Sequence, residues 1–278
     1  MANVAQAPGQ LAFWWLGQAG FLVAGGRTSL LLDPFLAPHP ERLKPSPLDA
    51  NGATGIGAIL YTHEHFDHLD LESLPALAAA SPNARIIVPR PLASRVAEAG
   101  IDPARILGAQ PDEAIHLGDA VVHPVPARHG VEVEDAYSFG EAISGGLVRF
   151  LGYVVELNGV RFYHAGDTIR YDGQAERLRA LAVDILLLPI NGRDEFRERH
   201  KGIVGNLDDR DAAQLAVDAG ADLLIPMHYE MFASNLGNPA ELVAIIRNRH
   251  PSLNVLFPGT VRPFVYTRVH EERSRMVS

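Results

Sequence analysis

Three histidines and two acidic residues stand within the six-residue segment His63-Glu64-His65-Phe66-Asp67-His68, one residue beyond the apolar run Ala58–Tyr61. A helical pattern, Leu69–Ala80, follows. The segment is therefore a turn at the C-terminal end of a strand, where binding sites concentrate. So many imidazoles and carboxylates are costly to bury unpaired, and a divalent cation neutralises and orders them. A solvated polar turn is the bland alternative, but four ligand-type side chains at this spacing rarely collect without use. Further ligand types recur at other strand ends: His129 after Val121–Ala127, Asp167 after Val160–His164 and His228 after Leu223–Pro226. Each alone has a bland alternative as a capped or hydrogen-bonded turn residue, but all being bland together is improbable. A fold that uses them together must bring strand ends from both halves of the chain to one rim.

The remaining pattern supplies such a fold. Leu11–Leu16, Phe21–Val23 and Ser29–Leu32 are short strands parted by glycine-rich turns, an opening antiparallel meander that Asp33-Pro34 ends. Ala37–Gly57 is rich in Pro and Gly and reads as a surface loop. From Ala58 the rhythm becomes strand then helix: Ala58–Tyr61 with Leu69–Ala80, Arg85–Val88 with Leu92–Ala99, and later Ile185–Leu188 with Asp211–Ala219. A second β-rich block lies between, with strands at Val121–Pro126, Leu147–Leu157 and Val160–His164, the last two joined by the hairpin signal Asn158-Gly159. Both halves run β first and then βα. Two sheets packed face to face with helices outside, an α/β four-layer αββα sandwich forming one domain over residues 1–278, is the economical arrangement.

Composition narrows the chemistry. The chain has no cysteine, which removes disulfides, thiolate nucleophiles and Cys-based zinc sites, so a metal must be held by His and carboxylates. The formal charge of −9 repels phosphate backbones, and no nucleic-acid partner is expected. With 47% apolar and 21% charged residues the chain carries an ordinary globular core. The apolar stretch Leu11–Ala24 is broken by Gly17, Gln18 and Gly20 and has no basic region before it. No run reaches the ~18–20 apolar residues of a membrane span, so neither a membrane nor an export signal is expected, and the cytoplasm is the default location.

The seven-residue pattern resembles the metallo-β-lactamase superfamily, whose hallmark is HxHxDH followed by a separate His, Asp and His at later strand ends. The likeness runs from Leu16-Gly17-Gln18-Ala19-Gly20 through Asp33-Pro34 to Pro226-Met227-His228-Tyr229. It implies the metallo-β-lactamase fold and a binuclear centre of two divalent ions. His63, His65 and His129 would hold the first, Asp67, His68 and His228 the second, and Asp167 would bridge them. His164-Ala165-Gly166-Asp167-Thr168 and Gly205-Asn206-Leu207 are similar to the L-ascorbate-6-phosphate lactonase-like branch. Antibiotic-cleaving members of the commonest zinc subclass use a Cys in the second site, so true β-lactamase activity is not expected.

The implied chemistry is a metal-dependent hydrolase acting through a metal-bridged hydroxide, with zinc or manganese as the ions. Asp67 and Asp167 are the expected catalytic carboxylates, Asp67 orienting the nucleophile and relaying its proton. His164, which alternates out of an apolar strand, is read as a supporting or core residue. His39, His116, His123, His200, His250 and His270 have no ligand spacing, and Trp14-Trp15 reads as strand packing. For substrate, Arg193, Arg197, Arg199 and Lys201 follow a strand and can meet a phosphate or carboxylate, Arg193 being closest to the strand end. Asn206 and Tyr229 join Arg193 as expected substrate contacts. The leading reading is a lactonase or related esterase for a small, anionic substrate. A metal-dependent phosphodiesterase or nuclease and a non-catalytic metal-binding scaffold are the alternatives; two-iron redox chemistry would usually need an added flavin domain. A homo-oligomer is compatible with the sequence.

Overall fold

The computed structural model describes residues 7–129, 142–143, 147–193, 205–260 and 262–268. The first sheet opens with the expected meander, β1 (Gln10–Gly17), β2 (Gly20–Gly25) and β3 (Thr28–Leu32). It continues in parallel through β4 (Ala58–Leu60), β5 (Arg85–Pro89) and β6 (Ile106–Ala109). The second sheet pairs β7 (Ile115–Leu117), β8 (Ala120–Pro126), β11 (Leu151–Leu157) and β12 (Val160–His164) antiparallel. It then runs parallel through β13 (Ile185–Pro189), β14 (Leu223–Met227) and β15 (Asn254–Val255). Two short strands, β9 (Ala142–Ile143) and β10 (Leu147–Val148), pair apart from both sheets, and β16 (Phe264–Thr267) closes the free side of β1. Each seven-stranded sheet is thus half meander and half parallel, as the two-part rhythm of the sequence requires.

Strand alternation divides the core. Leu11, Phe13 and Trp15 of β1 face the second sheet, and Phe13 meets Phe162 edge-on with ring centroids 5.4 Å apart. On the other face of the first sheet, Leu22, Leu31, Ile59 and Ile86 pack under α1 (Leu74–Ala80) and α2 (Ala93–Glu98) through Leu74, Leu77 and Val96. The second sheet is covered by α3 (Gln174–Ala180), α4 (Asp209–Ala219) and α5 (Pro239–Arg249) through Leu178, Leu215, Leu242 and Ile246. The four layers are those of the αββα sandwich. Among the described residues no helix is long and apolar enough to cross a membrane.

Two boundaries and two helices depart from the sequence pattern. The helix expected from Leu69 begins at Leu74, because the buried Asp70 carboxylate accepts hydrogen bonds from the amides of Glu72 (3.1 Å) and Ser73 (3.0 Å) and makes a turn there. The strand expected over Leu147–Leu157 is broken at Arg149-Phe150, where Leu151 N–H donates to Thr62 O (3.0 Å) across the two sheets. Helices α3 and α5 were not anticipated, although Asn238 caps α5 through Glu241 N–H and Pro239 opens it, a start signal visible in the sequence.

Candidate metal centre

The centre is built on a buried aspartate. Asp33, fully buried and with φ 41°, accepts hydrogen bonds from Thr62 N–H (2.8 Å) and Thr62 Oγ1 (2.6 Å), which fixes the chain as it leaves β4. From the other sheet the loop after β12 comes close to this turn. A Cβ on Gly166, where φ is 60°, would fall 2.7 Å from Thr62 Cβ, so only glycine permits the approach. The two strand-end clusters therefore meet at one rim.

All seven ligand-type residues arrive there. The ligand atoms of His63, His65, His129 and Asp167 lie within 4.8 Å of one another, as do those of Asp67, His68 and His228. Asp167 stands between the sets: its Oδ2 is 3.3 Å from His129 Nε2, while its Oδ1 is 3.3 Å from His68 Nε2 and 3.4 Å from His228 Nε2. Apart from the half-buried His65, every member is buried.

Neighbouring groups aim the rings. Asp33 Oδ2 lies 2.7 Å from His68 Nδ1, Gly205 O lies 2.9 Å from His129 Nδ1, and Thr62 Oγ1 lies 3.0 Å from His63 Nδ1. With Nδ1 engaged, each ring turns Nε2 inward, and a carboxylate or carbonyl behind an imidazole raises its basicity toward a metal. The Gln18 amide donates to Asp67 Oδ2 (2.7 Å) and lies 2.9 Å from His228 Nε2. Gln18 itself is held by its carbonyl, which accepts from Trp15 Nε1 (3.1 Å) and His228 N–H (3.0 Å). His164 is not a ligand: its Nε2 contacts Ala19 O (2.7 Å) and its Nδ1 accepts from Gly166 N–H (3.2 Å).

The electrostatics differ between the two sets. Burial pushes His63 well below the usual imidazole value and His129 down to about 4, leaving neutral rings with lone pairs to offer. In the second set burial also opposes charge, but Asp167, Asp33 and Asp67 outweigh it at His68, and Asp167 and Asp67 do so at His228. Burial likewise works against the Asp67 and Asp167 carboxylates, and the facing imidazoles hold both below the usual range. The space between the carboxylates thus demands positive charge. His68 Nε2 and Asp167 Oδ1, both buried, face each other there without a hydrogen bond of sound geometry. Orphaned atoms of this kind in an all-imidazole and carboxylate donor set fit a divalent cation, which these residues would hold.

The centre forms part of the floor of a cleft of about 790 Å³. Arg193 is exposed on its wall; Asn206 is buried in it and donates to Asn191 Oδ1 (3.0 Å), and Asn191 donates to Asn235 Oδ1 (2.7 Å). Tyr229, also expected at the substrate, does not line the cleft. Next to it His228 has φ 59° and points into the rim, while the Tyr229 ring stacks on Trp15 at 5.2 Å. Arg197, Arg199 and Lys201 lie outside the described residues, as does most of the Val131–Gly146 insert. Sequence reading missed Asp33 and Gln18 as functional residues. Both lie in segments that carry the family resemblance, but nothing in the sequence gives either a role of its own.

A family model described as "Beta-lactamase superfamily domain" matches residues 28–229. The "UPF0173 metal-dependent hydrolase" of Archaeoglobus fulgidus is 33% identical over an alignment covering 78% of this chain and 83% of the relative. The "Probable L-ascorbate-6-phosphate lactonase UlaG" of Salmonella heidelberg is 22% identical, covering 94% of this chain and 80% of the relative. Among solved structures, Igni18, a metallo hydrolase of the archaeon Ignicoccus hospitalis, superposes with a TM-score of 0.72 at 17% identity, covering 94% of this chain and all of the other.

Proposed function

The chain belongs to the beta-lactamase superfamily, and from that premise we propose that this metal-dependent hydrolase opens a lactone or another ester of a small anionic substrate. One observation carries the reading. Asp167 presents one oxygen to each ligand set, in a cleft whose wall holds Arg193 and the Asn191–Asn206–Asn235 chain. The relative named as a probable lactonase, similar over most of its length, supports the ester over other hydrolysable bonds.

Zinc or manganese ions in the two ligand sets would lower the pKa of a water toward ~7 and polarise the oxygen of the bond to be cleaved. The protein's own groups do the rest. Asp67, held in the ionised state and fixed by the Gln18 amide, orients the attacking water and takes its proton for transfer to the leaving oxygen. Asn206, whose Oδ1 is buried without a partner, is placed to receive a hydrogen bond from a substrate hydroxyl. Arg193 supplies the cation for an anionic group. The net charge of −9 works against a polynucleotide in the same cleft.

The test is elemental analysis of the purified protein, paired with hydrolysis of a lactone panel and of bis-p-nitrophenyl phosphate before and after chelation. Two ions per chain with chelator-sensitive lactone turnover is the expected result. Phosphodiester turnover without lactone turnover would replace the reading with a phosphodiesterase, and bound metal with neither activity would leave a binding scaffold.

A further inference from the structure

One wall of the cleft does not suit a small, wholly polar substrate. Phe35, His39, Phe66 and Phe232 form a four-ring group in which every pair of ring centroids lies between 5.0 and 6.4 Å apart. Phe35 and Phe232 are buried at 3% and 7% exposure and form its base, whereas Phe66 is 53% exposed and, with Phe232, lines the cleft beside the ligands. Leu236, 52% exposed, lines the same cleft. Large apolar side chains left open in a concave site are usually there to meet an apolar ligand.

The group is held in place before any ligand arrives. Asp70 accepts from the amides of Leu36 (2.9 Å) and Ala37 (2.8 Å), fixing the segment that carries Phe35. Arg42 lies over the Phe35 ring at 4.4 Å and donates to Phe35 O and Ala37 O, each at 3.0 Å. Arg42 also bridges to Phe232, and Leu43 N–H donates to Met231 O (2.9 Å), which ties the loop after β3 to the loop after β14. Position matters as much as rigidity. Phe66 lies between His65 and Asp67, one from each ligand set, and all three line the cleft, so a group resting on its ring shares the cleft with the ligand-type residues.

From this geometry we propose that Phe66, Phe232 and Leu236 form a subsite for an aryl or alkyl substituent of the substrate. The substrate class is accordingly an amphipathic lactone or ester. Its apolar group lies on the rings and its polar or anionic end on the Asn191, Arg193 and Asn206 wall. In the reaction, water adds to the carbonyl carbon and the C–O bond breaks with its electron pair on oxygen. The proton from water ends on the freed hydroxyl, leaving a hydroxy acid. The proposal rests on the hydrolase reading for its reaction, but the subsite itself can be tested without turnover.

Two readouts on the metal-loaded full chain separate them. The first is the ratio of kcat/KM for γ-phenyl-γ-butyrolactone over γ-butyrolactone, which share the reacting ring. The second is the ratio of affinities for 4-phenylbutanoate over butanoate, measured calorimetrically. Both ratios should be about tenfold or more in the wild type and fall to about threefold or less in Phe66→Ala, with Phe66→Leu between. Leu236→Ser should lower them in the same direction, and unchanged metal content shows that each variant is folded. Affinity selectivity that Phe66→Ala removes, with no lactone turned over, would keep the subsite and overturn the lactonase reading. Lactone turnover with both ratios near one would keep the lactonase and overturn the subsite.

Discussion

Gln18 occupies the left-handed region at φ 52° and is almost fully buried, a combination that costs on the order of 1 kcal/mol for a residue other than glycine. The strain persists because the turn delivers its amide to Asp67 Oδ2 and His228 Nε2 together. Removing a group that orients metal ligands typically weakens binding about 10–100-fold. Gln18→Ala should therefore lower affinity at the Asp67–His68–His228 set by at least about tenfold while changing the other set by less than about threefold. Competition against a chromophoric chelator measures both, and equal losses at the two sets would show that the amide has no selective role. The seven ligand-type residues that meet at the rim were legible because four of them fall within six residues and the others follow the ends of apolar runs. Gln18 and Asp33 were not, because their partners lie 49, 210 and 35 positions away and such pairs leave no periodic trace.

Elements carry a different kind of signal. Helix α4 is capped at its start by Asp208, which accepts from Arg210 N–H (2.9 Å) and Asp211 N–H (2.8 Å), and at its end by Gly220 at φ 73°. Asp209 follows the cap, and burial, aided by the charges of Asp208 and Glu241, pushes its carboxyl up to about 6. A carboxyl whose pKa is raised in the folded state favours folding below its unfolded value near 4 and loses that contribution as pH rises through about 6. Asp209→Asn should accordingly raise the Tm at pH 7.5 more than at pH 4.5. Since Asp209 is only half-buried, the gain is discounted to on the order of 1 kcal/mol, or about 2–4 °C. Thermal unfolding at the two pH values checks it, and an equal shift at both would refute the assignment. Strands announce themselves as apolar runs, which is why both meanders and the Asn158-Gly159 hairpin, with φ 51° and 82°, could be read in advance. Boundaries set by a distant or side-chain hydrogen bond could not, as Asp70 and the Thr62–Leu151 contact show.

At the scale of the whole molecule, the centre is shared between the sheets: four ligands follow β4 of the first sheet, and His129, Asp167 and His228 follow β8, β12 and β14 of the second. Divalent ions held this way would bind the folded state and not the unfolded one. At a free concentration one hundred times the dissociation constant each contributes about 2.7 kcal/mol. Chelation of the loaded protein should lower its Tm by roughly 5–10 °C, and re-addition should restore it. A Tm indifferent to chelator in a protein shown to contain metal would mean that the ions do not couple the sheets. The cleft composition explains why substrate was the least legible property: its aromatic wall joins Phe35, Phe66 and Phe232, which no local pattern connects.

The same division of ligands also imposes an order in time. His63 to His68 leave the ribosome long before Asp167 and His228, which close strands in the last half of the chain. A nascent chain stopped short of β14 lacks a member of the second set and cannot complete the centre, whatever the local structure of the first sheet. Completion of the two ligand sets is consequently a late event in the life of the polypeptide.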